Sequence, residues 1–154
     1  MRALEMVTDP EIPVLSVLEM GMVAALRVMD ARVEVDVTPT FAGCPAISVI
    51  REDIANAIRQ AGADDVAVNV VYDPPWTSDR MTGEGRRKLK EFGLAPPGAS
   101  CGSPGAPGPV LENVACPYCD SRATELESMF GPTLCRSIHY CRNCLQSFEH
   151  FKPV

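Results

Sequence analysis

Histidine is scarce in this chain: there are two in 154 residues, His139 and His150, both near the C-terminus. A Cys–His catalytic pair in the first half is therefore excluded, because no imidazole is there to act as base. Basic side chains are also in deficit, with 14 Lys and Arg against 20 Asp and Glu and a formal net charge of −6. Nucleic-acid-binding surfaces carry the opposite balance, so no nucleic-acid partner is expected. No apolar run approaches the roughly 18 residues of a helical membrane span, and the start, MRALEMVTDPE, lacks a signal-peptide core. The expectation is a cytoplasmic protein with no membrane partner. The patterns HExxH, GxxxxGK[ST], GxGxxG and GxSxG are missing too, which removes the commonest metal, phosphate, dinucleotide and serine-hydrolase signatures.

What the chain does have is cysteine. At 46% hydrophobic and 22% charged the composition is that of a globular protein able to bury a core. In such a cytoplasmic chain, seven cysteines read as ligands or working thiols before they read as disulfides. Their distribution is uneven: Cys44 stands alone, Cys101 lies in a Gly/Pro-rich stretch, and five fall between Cys116 and Cys144. The stretch APPGASCGSPGAPGP, Ala95 to Pro109, has no hydrophobic periodicity and reads as a linker. These features predict a first domain over 1–94, a linker over 95–112 and a cysteine-rich module over 113–154.

In the first domain, Val23 to Met29 and Val33 to Val37 alternate as a hairpin pair joined at Asp30-Ala31-Arg32. After Cys44 and Pro45, residues Ile47, Ile50, Ile54, Ala57, Ile58 and Ala61 share one helical face, and Gly62 marks the stop. Val66, Val68 and Val70 alternate in a third strand, ended by Tyr72-Asp73-Pro74-Pro75-Trp76. Thr82 is placed to cap a short helix from Gly83 to Phe92, with Leu89 and Phe92 docking. The order β-β-α-β-α predicts an α+β fold, with helices over one face of a small sheet.

In the second module, Cys116-Pro-Tyr-Cys119 and Cys141-Arg-Asn-Cys144 are two CxxC pairs separated by 21 residues. Each can form a tight turn with both sulfurs on one side, and two such knuckles supply the four thiolates of a closed tetrahedral zinc site. Thr124 to Met129 and Thr133 to Tyr140 then read as hairpin strands around Gly131-Pro132. A four-cysteine iron site is the rival, since softness and geometry do not separate the two metals. Cys135 and His139 are candidate extra ligands, weighed against ordinary packing roles. His150 has no partner by spacing, and Phe148 and Phe151 are expected to pack the module. A closed structural metal performs no reaction.

Cys44 is the thiol left for chemistry in the first domain. The run VEVDVTPTFAGCPA places it between a strand and a helix, and Pro45 at the first helical position would make Cys44 the N-cap. Backbone N–H groups and the helix dipole there favour a thiolate. The competing reading is a small residue that caps and packs. Asp9, Glu11, Asp73 and Asp79 sit in turn regions, where capping carboxylates are ordinary.

The motifs DPEIP (Asp9 to Pro13), TFAGCP (Thr40 to Pro45) and DPPW (Asp73 to Trp76) together resemble the iron–sulfur assembly domain shared by SufT-like proteins. With the CPYC…CRNC ribbon added, nearly the whole chain outside the linker resembles the PaaD-type (also PaaJ-type) accessory proteins of phenylacetyl-CoA oxygenase (epoxidase) systems. That resemblance implies a small iron–sulfur-assembly-type domain followed by a zinc ribbon. It also implies a non-catalytic accessory role in maturing the epoxidase during phenylacetate degradation. Cys44 matches the signature cysteine, a candidate transient ligand for iron or an iron–sulfur cluster, and Asp9, Glu11, Thr40, Asp73 and Trp76 match supporting motif positions. The implied client is the reductase, which carries a cluster, or the di-iron oxygenase component. The alternative is a structural adaptor docking through the ribbon. One thiolate cannot hold a cluster, which takes about four. A homodimer, ligands from the client, or Cys135 or Cys101 are the ways to complete the set.

Overall fold

The computed structural model describes residues 2–30, 32–98 and 114–153. Cys101, most of the Pro/Gly stretch and the central residue of the Asp30–Arg32 connection lie outside them. The fold is α+β, and the chain divides into two compact units, Met1–Trp76 with Arg80–Gly85, and Thr77–Asp79 with Arg86–Val154. This division differs from one placed after residue 94. Leu94–Ala95 form a strand of the second unit's sheet, and the chain passes from one unit to the other inside its last helix. Phe92, expected to dock, is 49% exposed, whereas Leu89 is fully buried.

The first unit begins with α1 (Arg2–Glu5) and the paired strands β1 (Thr8–Asp9) and β2 (Ile12–Ser16). The Asp9 carboxylate accepts from the backbone N–H of Glu11 at 2.7 Å and Ile12 at 3.1 Å, which closes the turn between these strands. Ser16 and Glu19 then form a capping box. The Glu19 carboxylate accepts from Ser16 N at 2.9 Å, and Ser16 Oγ accepts from Glu19 N at 3.2 Å. Gly21 follows at φ 67°, where an added Cβ would stand 2.2 Å from the Arg80 carbonyl oxygen. Only glycine satisfies both the conformation and that approach.

The three-stranded sheet has the order β3-β4-β5, with β3 spanning Val23–Met29, β4 Arg32–Val37 and β5 Asp65–Val70. β3 and β4 are antiparallel, β4 and β5 parallel, and α2 (Ile47–Gln60) makes the crossover. The alternation read from the sequence sets the faces. Val35 and Val37 are fully buried on the same side as Ile50, Ile54 and Ile58 of α2. On the other face the Arg27 guanidinium meets Asp36 at 2.7 Å and Asn69 donates to Asp36 at 3.1 Å. Those two donors, Asn69 first, hold the Asp36 carboxyl below its ordinary range. α2 ends at Ala61, with Gly62 at φ 102° as the sequence predicts. The last helix, α3 (Gly83–Glu91), is capped by Thr82, whose Oγ1 accepts from Gly85 N at 3.0 Å.

The second unit is a four-stranded sheet in the order β6-β9-β8-β7, with β6 Leu94–Ala95, β7 Thr124–Ser128, β8 Arg136–Cys141 and β9 Gln146–Phe151. Sequence pattern does not mark β9 as a strand; Phe148 and Phe151, expected to pack, are both buried along it.

Candidate metal centre and thiol loop

The two CxxC segments are built to one plan. In the first, Asp120 N donates to the Cys116 carbonyl at 3.0 Å, and in the second, Leu145 N donates to the Cys141 carbonyl at 2.9 Å. The donor has φ 59° in each case. That left-handed step turns the chain sharply enough for both sulfurs of a pair to point to one side. The two knuckles face each other, and all four sulfurs, of Cys116, Cys119, Cys141 and Cys144, lie within 4.8 Å of one another. Cys116 and Cys144 are 3.7 Å apart and Cys119 and Cys141 3.6 Å. A tetrahedral ion with sulfur ligands at about 2.3 Å requires sulfur separations of about 3.8 Å. The donor set therefore fits a four-coordinate soft metal with no open position.

Electrostatics point the same way. Burial pushes the Cys144 thiol up to about 12, reinforced by the neighbouring sulfurs. Burial also raises Cys116. Cys119 moves oppositely, down to about 6, because the Ser121 backbone N–H and then the Asn143 side chain, at 3.6 Å, donate to its sulfur. Without a cation the group holds one ready thiolate, and a bound dication would draw protons from the rest. Asn143 is a contributor that sequence reasoning missed; its place inside the second CxxC was the available signal.

Cys135 and His139 lie outside this four-sulfur group. Cys135 Sγ is 3.1 Å from Thr133 Oγ1. His139 is buried, with Nε2 3.0 Å from Ser137 Oγ and its ring stacked on Phe148 at a centroid distance of 5.6 Å. Its side chain is held away from solvent by the sheet, which gives the residue a packing role beside the knuckles. His150, which has no partner by spacing, is equally buried and meets His139 edge-on at 5.3 Å.

In the first unit, parallel pairing of β4 and β5 aligns Val37 with Val70, so the segments that follow both strands leave from the same end of the sheet. One is the Thr40–Cys44 loop, the other Tyr72 to Trp76. Val71 N donates to Val37 O at 2.9 Å and Thr38 N to Met22 O at 2.7 Å, joining the two segments and Met22 there. Trp76 is buried and its Nε1 donates to Met20 O at 2.8 Å. Thr40 is buried, Glu11 half-buried and Asp73 exposed, ahead of a cis peptide to Pro74. Asp9 is occupied by its own turn. Cys44 is half-buried, and Phe41, Ala42, Gly43 and Pro45 around it are exposed.

The N-cap reading of Cys44 is corrected by the structure. α2 begins at Ile47 with Ala46 as its N-cap, and no side chain caps it. Cys44 N instead donates to Phe41 O at 3.0 Å, closing a turn before Pro45. The thiol is presented by a loop, two residues ahead of the helix cap.

An α+β unit carrying a cysteine loop, joined to a four-cysteine ribbon, defines a two-module class of metal-handling protein. Residues 1–70 match the iron–sulfur cluster assembly protein family, and residues 105–152 match the PaaD zinc beta ribbon domain. The chain is 39% identical over 152 residues to PaaD of Escherichia coli, which bears the name of a putative 1,2-phenylacetyl-CoA epoxidase component; the match covers 98% of this chain and 89% of the relative. It belongs to that PaaD family. The Fe-S protein maturation auxiliary factor SufT of Staphylococcus aureus is 35% identical over 79 residues, which is 50% of this chain and 89% of that protein. A conserved hypothetical protein from Thermotoga maritima of known structure has 37% identity and a TM-score of 0.50, over 57% of this chain and 87% of its own. The names in this group are those of accessory and maturation factors, consistent with a non-catalytic part. Among the described residues no helix is long and apolar enough to cross a membrane.

Proposed function

We propose that this protein is a non-catalytic maturation factor for a phenylacetyl-CoA epoxidase system, in which Cys44 transiently ligates iron or an iron–sulfur cluster bound for the reductase or the oxygenase component. The observation that carries the reading is the separation of thiols. Four cysteines close on one another in the ribbon, while Cys44 stands on an exposed loop of the unit that matches the assembly family. In this reading the ribbon binds zinc for stability, and Cys116, Cys119, Cys141 and Cys144 hold it. A single thiolate that binds weakly and leaves the remaining ligands to the client suits transfer better than storage. Thr40 and Trp76 fix the loop from within the core, and Asp73 lies on the neighbouring segment.

The test is Cys44→Ser in cells that depend on the epoxidase, with cluster content of the purified reductase and zinc content of the variant measured alongside. Zinc should stay at one per chain while reductase cluster content and epoxidase activity fall. Full cluster content and activity with the variant would sink the proposal. A second reading, an adaptor docking through the ribbon, is favoured by Leu126, Met129, Phe130 and Leu134, which are 40–69% exposed around the β7–β8 turn. Under that reading Cys44→Ser is silent and Phe130→Ser loses the partner.

A further inference from the structure

Open strand edges are templates for pairing, and folded proteins normally blunt them with bulges, charges or brevity. The edges among the described residues follow that rule, with one exception. β3 has a register break between Val23 and Ala25, and Arg80 Nη2 donates to Val23 O at 3.2 Å. β7 has a break between Leu126 and Ser128 and carries Glu125 and Glu127. β6 is two residues long. β5 alone runs six residues in unbroken register, at the end of its sheet, without proline or lysine. Beside it lies an open groove of about 410 Å³ between β5 and α2, lined by Arg51, Glu52, Arg59, Val66 and Val68 among others.

The charges along this groove are complementary to themselves under a twofold. Because α2 returns between two parallel strands, it runs opposite to β5. Arg51 and Glu52 therefore stand toward the C-terminal end of β5, and Arg59, Asp64 and Asp65 toward its N-terminal end. Arg51, Glu52 and Asp64 make no ion pair among the described residues, and Asp65 has a loose one with Arg32 at 3.6 Å. We propose that β5 pairs antiparallel with β5 of a second copy, joining two three-stranded sheets into one of six strands. Each Arg51 then faces the second copy's Asp64 and Asp65, and each Glu52 faces the second copy's Arg59. Parallel pairing would set Arg51 against Arg51. In the antiparallel register the valines at 66, 68 and 70 of both copies share the face covered by the two α2 helices. Backbone hydrogen bonds supply the attraction, and the side-chain charges select the direction.

An antiparallel pair places the two Cys44 loops at opposite ends of the joined strands, separated by about 20 Å of strand. They do not share a cluster, so the client completes the ligand set at each loop. That consequence rests on the proposed role of Cys44; the dimer does not.

Light scattering on the full zinc-loaded chain should give twice the 16.6 kDa chain mass. Arg51→Glu, at an exposed position, should weaken the dimer by about tenfold or more with unchanged circular dichroism. The swap Arg51→Glu with Asp64→Arg should restore it. A monomeric wild type, or a dimer indifferent to Arg51→Glu, overturns the interface. A swapped variant that stays monomeric overturns the antiparallel arrangement. Loss of cluster transfer by Cys44→Ser in a normal dimer, or the converse, separates this inference from the functional one.

Discussion

At the residue scale, individual motif positions turn out to have mechanical roles. Trp76 is 2% exposed and its indole N–H is bound to Met20 O, so Trp76→Phe leaves a buried carbonyl unsatisfied. Such a loss costs about 2 kcal/mol, to be read from the denaturant midpoint. His150 offers a pH test. Burial, and then the neighbouring His139, pull its pKa down to about 3 from an ordinary 6.5. The unfolded chain therefore binds a proton across that interval while the folded chain does not. The stability contributed by neutral His150 is intact above pH about 6.5 and is lost progressively as pH falls toward about 3. The slope approaches about 1.4 kcal/mol per pH unit. Unfolding midpoints of metal-loaded His150→Asn should show a shallower fall over that window than wild type; an identical slope would assign the acid sensitivity elsewhere.

At the element scale, α2 illustrates how pattern becomes packing. Its isoleucines recur at helical spacing and Ile54 is fully buried, whereas Val49, off that stripe, is 46% exposed. Ile54→Ala should cost about 3 kcal/mol through lost burial and the cavity left behind. Val49→Ala should stay within about 0.5 kcal/mol in the same chemical denaturation assay. Reversal of that order would mean that α2 is rotated on its sheet. The knuckles are elements of a different kind. Their geometry comes from left-handed residues at Asp120 and Leu145. An exposed leucine in that conformation gives no sequence signal, so the shared plan of the two turns becomes visible only in three dimensions.

At the scale of the whole molecule, the two units differ in what holds them. The first buries a continuous apolar set from Leu4 through Ile58. The second is thinner: the core around its metal centre is Ala95, Cys116, Cys141 and Phe148, half of it ligand. Units this small are commonly completed by a metal. Adding a zinc chelator to the full chain should abolish amide-exchange protection in β7, β8 and β9 while β4 and β5 keep theirs. The loss should be steeper at acid pH, where protons compete for the sulfurs. Equal loss in both sheets would show that the first unit depends on the ribbon.

Much of this was legible along the chain. Alternating valines named β4 and β5, isoleucine spacing named α2, and the two CxxC pairs named the metal ligands, because each signal lies within one turn or one strand and expresses local geometry. The short strands β1 and β6 carried no readable period. β9 was hidden because QSFEHF mixes polar and aromatic residues, and its pairing with β8 supplies the order. The start of α2 was misplaced because Pro45 suits a turn as well as a first helical position, and the choice was made by the Phe41–Cys44 hydrogen bond. What the sequence determined was the elements, the ligand set and the family. Only the tertiary structure decided which thiols converge, that His139 packs rather than ligates, and that β5 is left as the open edge. Those outcomes depend on distances between residues far apart in the chain, which local spacing does not encode.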